Sequence, residues 1–199
     1  MTAARKRATH GDAAQAELDS GTKHELIDGQ LVAMAGGSPE HNQLAANALL
    51  RLGMALLGSP CRVTTSDQKV HVYDPLADDD AGLYPDVSVY CGPRQRSATV
   101  PSALTNPTLL VEVLSASTEA TDRGRKFALY SALPSLQHYL LLSTDRVAAE
   151  LYSRNDDSSW TLRRYGPGDR IPLPAIDAEL LVDDLYNGVF DEADAGAGA

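Results

Sequence analysis

An acid stands in the middle of an apolar run. Thr108-Leu109-Leu110-Val111-Glu112-Val113-Leu114 reads as an interior strand covered on both faces, with Glu112 at its centre. An unpaired carboxylate buried there would cost several kcal/mol, roughly, even after relaxation. Glu112 therefore needs a cation, a hydrogen-bonding partner or a metal ion beside it. A second acid, Asp86, follows Tyr84-Pro85 at the mouth of another strand. By itself a Pro-Asp pair at a strand entrance is a turn. Paired with Glu112 on a neighbouring strand, it becomes one of two carboxylates at one end of a sheet. Two such groups repel unless they share a proton or a divalent cation, and an oxygen donor set of this kind suits Mg²⁺.

The segment after Glu112 supplies positive charge. In Ser117-Thr118-Glu119-Ala120-Thr121-Asp122-Arg123-Gly124-Arg125-Lys126-Phe127-Ala128-Leu129-Tyr130, helical spacing turns Phe127 and Tyr130 toward the sheet, with Lys126 bordering that face. Lys126 can lay its stem on apolar surface and carry its ammonium to the acids. It can equally form an ordinary ion pair with Asp122 four residues earlier. Gly124 weakens the helix by ~1 kcal/mol against Ala, and either admits a close backbone or divides two helical turns. His41 has the chemistry of a general base, and its position near a helix start also suits a capping or surface role. His24, His71 and His138 show no ligand spacing. No Gly-rich phosphate loop, nucleophile elbow or paired-His metal motif is present.

These residues need elements to hold them. His24–Ile27 and Gln30–Met34 form a hairpin around Asp28-Gly29, a pair suited to a type I′ turn. Ser38 caps a helix with Pro39 at its first position, running to Gly58. Cys61–Tyr73 reads as one long strand, 74–84 as an acidic loop, and Asp86–Cys91 as a strand. A polar connection, 92–107, leads to the Glu112 strand, then a helix from Ser117 or Thr118 to about Leu133. Strands at 137–143, 147–153 and 160–165 follow, and a short helix at 182–186 closes the order. The pattern is mixed α+β: a central sheet with two main helices.

At 199 residues, 43% hydrophobic and 22% charged, the chain fits one domain. The expected division is a flexible segment over 1–21 with at best a short helix around Asp12–Leu18, a domain over 22–190, and a disordered acidic and Gly-Ala tail over 191–199. No apolar stretch reaches the ~18 residues needed to span a bilayer, and no secretory signal is seen, so a cytoplasmic location is expected. Cys61 and Cys91 read as buried thiols. The net charge of −10 argues against a surface that coats nucleic acid. Six of the negative charges, however, lie in Asp78-Asp79-Asp80 and in Asp191, Glu192 and Asp194. A local basic patch from Arg94, Arg96, Arg123, Arg125 and Lys126 remains open.

The ordered set Val111-Glu112-Val113-Leu114-Ser115, Thr118, Asp122, Lys126 and Tyr130 resembles the Uma-type restriction endonuclease family of the PD-(D/E)XK superfamily. Glu25-Leu26-Ile27-Asp28-Gly29, Ser38-Pro39-Glu40-His41-Asn42 and Tyr84-Pro85-Asp86 agree with it, and the likeness covers roughly residues 22–190. It implies a restriction-endonuclease-like fold, a central mixed sheet flanked by helices with an N-terminal β-hairpin. It also implies Mg²⁺-dependent cleavage of DNA, with Mn²⁺ a substitute and a homodimer a natural assembly. Asp86 and Glu112 fall on the family's metal ligands. Lys126 matches a lysine supplied from the following helix, since Leu114 occupies the superfamily's usual lysine position. Glu40 stands where another acid often occurs. The family's Glu-Tyr-Trp run appears as Gln137-His138-Tyr139, its following Asp as Ser143, and the hairpin's second Glu as Gln30. A catalytically inactive binding or assembly module, with Glu112 and Lys126 as a structural ion pair, is the alternative. A metal-dependent hydrolase of another substrate is a third reading.

Overall fold

The structure, a computed structural model, describes residues 7–190. Its centre is a six-stranded sheet ordered β10-β9-β8-β7-β6-β3. The strands are β3 (Cys61–Thr65), β6 (Val87–Cys91), β7 (Leu109–Leu114), β8 (His138–Ser143), β9 (Ala149–Arg154) and β10 (Trp160–Tyr165). β7 and β8 run parallel; every other pair is antiparallel. β7 is buried along its whole length, as its unbroken apolar run requires. Side chains alternate across a strand. Leu109, Val111 and Val113 thus enter one core, and Leu110 and Leu114 the other, on Glu112's side.

The first face is covered by α2 (Pro39–Ala55), which packs Leu44, Ala48 and Leu52 at spacings of four. Ser38 Oγ accepts from the His41 N–H, and Pro39 occupies the first turn, as expected. The hairpin β11 (Arg170–Leu173) with β12 (Ala178–Leu181), and the short α5 (Val182–Leu185), complete this core. The second face carries the sheet β2-β1-β5-β4, built from β1 (His24–Ile27), β2 (Gln30–Ala33), β4 (Val70–Asp74) and β5 (Asp79–Leu83). Asp28 and Gly29 both take positive φ, 54° and 70°, as the type I′ turn demands.

Several expectations need correction. Cys61–Tyr73 is two strands in different sheets, divided at Ser66–Gln68, where the Gln68 N–H bonds the Thr65 carbonyl at 3.0 Å. The acidic loop holds β5: Asp79 pairs with Arg7 and Arg125, and Asp80 meets His10 and His71, so neither stays simply solvated. The short helix read around 12–18 is longer: α1 (His10–Ser20) starts at a reciprocal Thr9–Asp12 capping box. Its Glu17 bonds Lys69 Nζ, Tyr84 Oη and the His24 N–H. Cys61 and Cys91 are not thiols but a disulfide, placed opposite each other by the β3–β6 register. The tail expected at 191–199 lies outside the described residues. Among the described residues, no helix is long and apolar enough to cross a membrane.

The helix after β7 is also irregular. α3 (Glu119–Thr121) passes into a π-helical turn, Asp122–Lys126, then α4 (Phe127–Ser131). A Cβ at Gly124 would meet nothing within 4 Å, so that glycine serves no close approach. It is a weak helix former inside the widened turn. Such turns concentrate where side chains must be aimed, and this one buries both Asp122 and Lys126.

Candidate active site

Glu112 is 4% exposed and has two hydrogen-bond donors. Lys126 Nζ lies 3.2 Å from its Oε1, and Tyr130 Oη donates to the same oxygen at 3.0 Å. The π turn delivers the first partner and α4 the second. Lys126 also stands 3.2 Å from Glu25 Oε1 in β1 and 3.3 Å from Asp122 Oδ1. The local ion pair with Asp122 therefore exists, as one arm of a three-acid contact. Glu25 is fixed in turn by the Tyr84 N–H at 2.9 Å.

Asp86 sits just ahead of β6. Its Oδ2 accepts from the Val113 N–H at 2.7 Å, tying it to the residue after Glu112. Its Oδ1 lies 3.0 Å from His41 Nε2. His41 is thus neither a simple cap nor a surface residue: α2 aims its imidazole at the carboxylate. Of the three residues singled out in the sequence, Glu112 and Lys126 meet directly, and Asp86 reaches them through the backbone of Val113. Glu40 is not part of the group; its carboxylate bonds Ser38 at the helix start.

The electrostatics follow from this crowding. Burial pushes the Glu112 carboxyl well above the ordinary carboxylate range; Lys126 opposes the shift, and Asp86, Asp122 and Glu25 add to it. Burial also works against the Lys126 charge, but Glu112, Glu25 and Asp122 overcome it and hold its pKa above the usual lysine value. The hydrogen bond to Asp86 raises His41, against burial. Four acids, Glu25, Asp86, Glu112 and Asp122, face Lys126 and His41, and Asp122 Oδ1 is buried without a hydrogen bond. An all-oxygen donor set with surplus negative charge fits a hard divalent cation.

The basic patch does not form as expected. Arg123 pairs with Glu119 and Glu150, and Arg125 with Asp28 and Asp79. Arg94 and Arg96 stay exposed, Arg94 donating to Tyr90 Oη at 2.9 Å. Sequence reasoning assigned no site role to Glu25, although the available signal matched that of Glu112: an acid beside Leu26 and Ile27 in a buried strand.

Comparisons with known proteins agree with this architecture. A protein of Synechocystis sp. is 42% identical over 167 residues, covering 84% of this chain and 85% of its own length. A second protein from the same organism is 31% identical over 162 residues, covering 81% and 89%. Both are described as uncharacterized. A crystal structure of a "putative nuclease belonging to DUF820" from Anabaena variabilis superposes with a TM-score of 0.68 at 16% identity, over 86% of this chain and 93% of that one. That likeness establishes the shared α+β fold. Since residues 12–183 match its family model, the chain belongs to the Uma2 family, described as "Putative restriction endonuclease".

Proposed function

We propose that the chain is a Mg²⁺-dependent endonuclease that hydrolyses DNA phosphodiester bonds. The observation that carries this reading is the buried Glu112–Lys126 pair, ringed by further acids, with Asp86 hydrogen-bonded to the adjoining Val113 N–H. Asp86 and Glu112 would hold the metal, with Mn²⁺ able to replace it. When bound, the ion polarises the phosphate and lowers the pKa of an attacking water. Lys126, held among three carboxylates, stays cationic and stabilises charge developing on the phosphate oxygens. His41 and the Val113 N–H fix both oxygens of Asp86, so that carboxylate is oriented before substrate arrives. Glu25 and Tyr130 hold Lys126 and Glu112 in place. Exposed Arg94 and Arg96 are the candidates for phosphate-backbone contacts, which position DNA without reading sequence. Two copies of the chain would suit cleavage of both strands of a duplex.

The test is incubation of the purified chain with supercoiled plasmid and single-stranded DNA, with and without Mg²⁺ or Mn²⁺. Cleavage is expected only with metal, and Asp86→Ala or Glu112→Gln should lower it by about 100-fold or more. Metal-dependent cleavage that persists in both variants would overturn the residue roles. A folded chain that neither cuts nor gains thermal stability with Mg²⁺ would establish the inactive binding module instead.

A further inference from the structure

A second cluster lies on the small sheet. His10 opens α1, His71 lies in β4, and Asp80 lies in β5. The Nε2 atoms of His10 and His71 approach the same oxygen, Asp80 Oδ1, at 2.7 and 2.6 Å. The rings meet edge to face, 5.0 Å between centroids and 89° between planes. One ligand atom from each residue lies within 4.8 Å of the other two. Both imidazoles are largely enclosed, at 14% and 12% side-chain exposure, whereas Asp80 is half open at 52%. Gly82 makes the approach possible. Any Cβ there would stand 3.2 Å from Cε1 and Nδ1 of His10, tighter than normal packing allows. His10 Nδ1 is buried without a partner, so packing over Gly82, not a second hydrogen bond, orients the ring.

One carboxylate oxygen thus holds two imidazoles at once. For both to bond Oδ1, each must carry a proton on Nε2, and the two N–H groups converge on one acceptor. A divalent ion placed there replaces both protons and uses the same three atoms. We propose that His10, His71 and Asp80 form a second metal site that takes Zn²⁺-class ions and fastens α1 to the small sheet. Two imidazole nitrogens and one carboxylate suit Zn²⁺, Co²⁺ or Ni²⁺, not the hard ion favoured by the acid cluster. The open side of Asp80 leaves a position for water. The clamp also connects to the Lys126 group: Glu17 of α1 accepts from Tyr84 Oη, and the Tyr84 N–H donates to Glu25.

Zn²⁺ binding to the metal-stripped full chain, measured by calorimetry in excess Mg²⁺, tests the proposal, with Co²⁺ absorption reporting imidazole ligation. One equivalent should bind. His71→Asn and Asp80→Asn should each weaken it by about tenfold or more, and Glu112→Gln should leave it unchanged. Circular dichroism checks that each variant is folded; Asp80→Asn alters a half-exposed, isosteric group and keeps the test valid if His71→Asn misfolds. Absence of Zn²⁺ binding, binding unaffected by these substitutions, or binding lost in Glu112→Gln would each overturn the site.

Discussion

The two faces of the six-stranded sheet are built from the same strands but solve opposite problems. On the α2 face, Val87, Val89, Leu109, Val111, Val113, Leu140 and Leu142 meet a regular helix in an apolar core. Its buried histidine, His138, is kept neutral: burial drives its pKa down to about 4. The opposite face takes the alternate residues of β7 and β8, Leu110, Leu114, Tyr139 and Leu141, and interrupts them with Glu112. Its covering helix is widened into a π turn, and its acids crowd around Lys126. One face stabilises by excluding polar groups; the other retains a charge imbalance that a cation would relieve. The proposed chemistry lies where the packing is least regular.

The largest expected effects come from one substitution on each face. Lys126→Met leaves Glu25, Glu112 and Asp122 without their ammonium and should destabilise the metal-free chain by about 3–5 kcal/mol. Leu140→Ala should cost about 2–5 kcal/mol through the cavity it leaves. The magnitudes are similar; the response to Mg²⁺ separates them. Denaturant unfolding should show Lys126→Met recovering stability with Mg²⁺ beyond any gain of the unsubstituted chain, because a divalent ion can replace the lost charge. Leu140→Ala should show no extra gain. Equal responses would erase the distinction between the faces.

A smaller effect belongs to His138. Its folded pKa lies below that of an unfolded histidine, so the unfolded chain takes up the proton first. Its contribution is intact above about pH 6.5 and is lost as pH falls toward about 4, by roughly 1–3 kcal/mol. The stability difference between the unsubstituted chain and His138→Gln, followed from pH 7 to pH 4, should shrink by that amount. A constant difference would mean that the apolar face tolerates the charge.

Local signals explain what sequence reasoning recovered. Asp28-Gly29 dictates its own turn, Ser38-Pro39 its own helix start, and the apolar run around Glu112 its burial. Lys126 was readable because helical spacing places it beside the sheet-facing Phe127 and Tyr130. What escaped depends on partners remote in the chain. Asp79 and Asp80 read as solvated because Arg125, Arg7 and His10 are far away in sequence, and His71 meets Asp80 only once β4 and β5 pair. The disulfide follows from the β3–β6 register, and no property of Cys61 or Cys91 alone announces it. The π turn has no strong signature beyond Gly124.

The smallest effect has the least intuitive sign. Burial, with Asp86, Asp122 and Glu25, raises the folded Glu112 pKa well above that of an unfolded carboxyl. The folded chain therefore binds this proton more tightly, and its penalty grows as pH rises from about 4.5 through the folded value. Glu112→Gln removes that penalty while its side-chain oxygen can still accept from Lys126 and Tyr130. At pH 8 without metal the variant should be more stable than the unsubstituted chain, by about 1 kcal/mol; at pH 4.5 the advantage should vanish. Mg²⁺ should reverse the order at pH 8, since only the carboxylate gains from the ion. Thermal unfolding of both proteins at the two pH values, with and without Mg²⁺, measures all of these differences. If the variant is less stable at pH 8 without metal, Glu112 is a satisfied structural partner of Lys126, and the second face is as settled as the first.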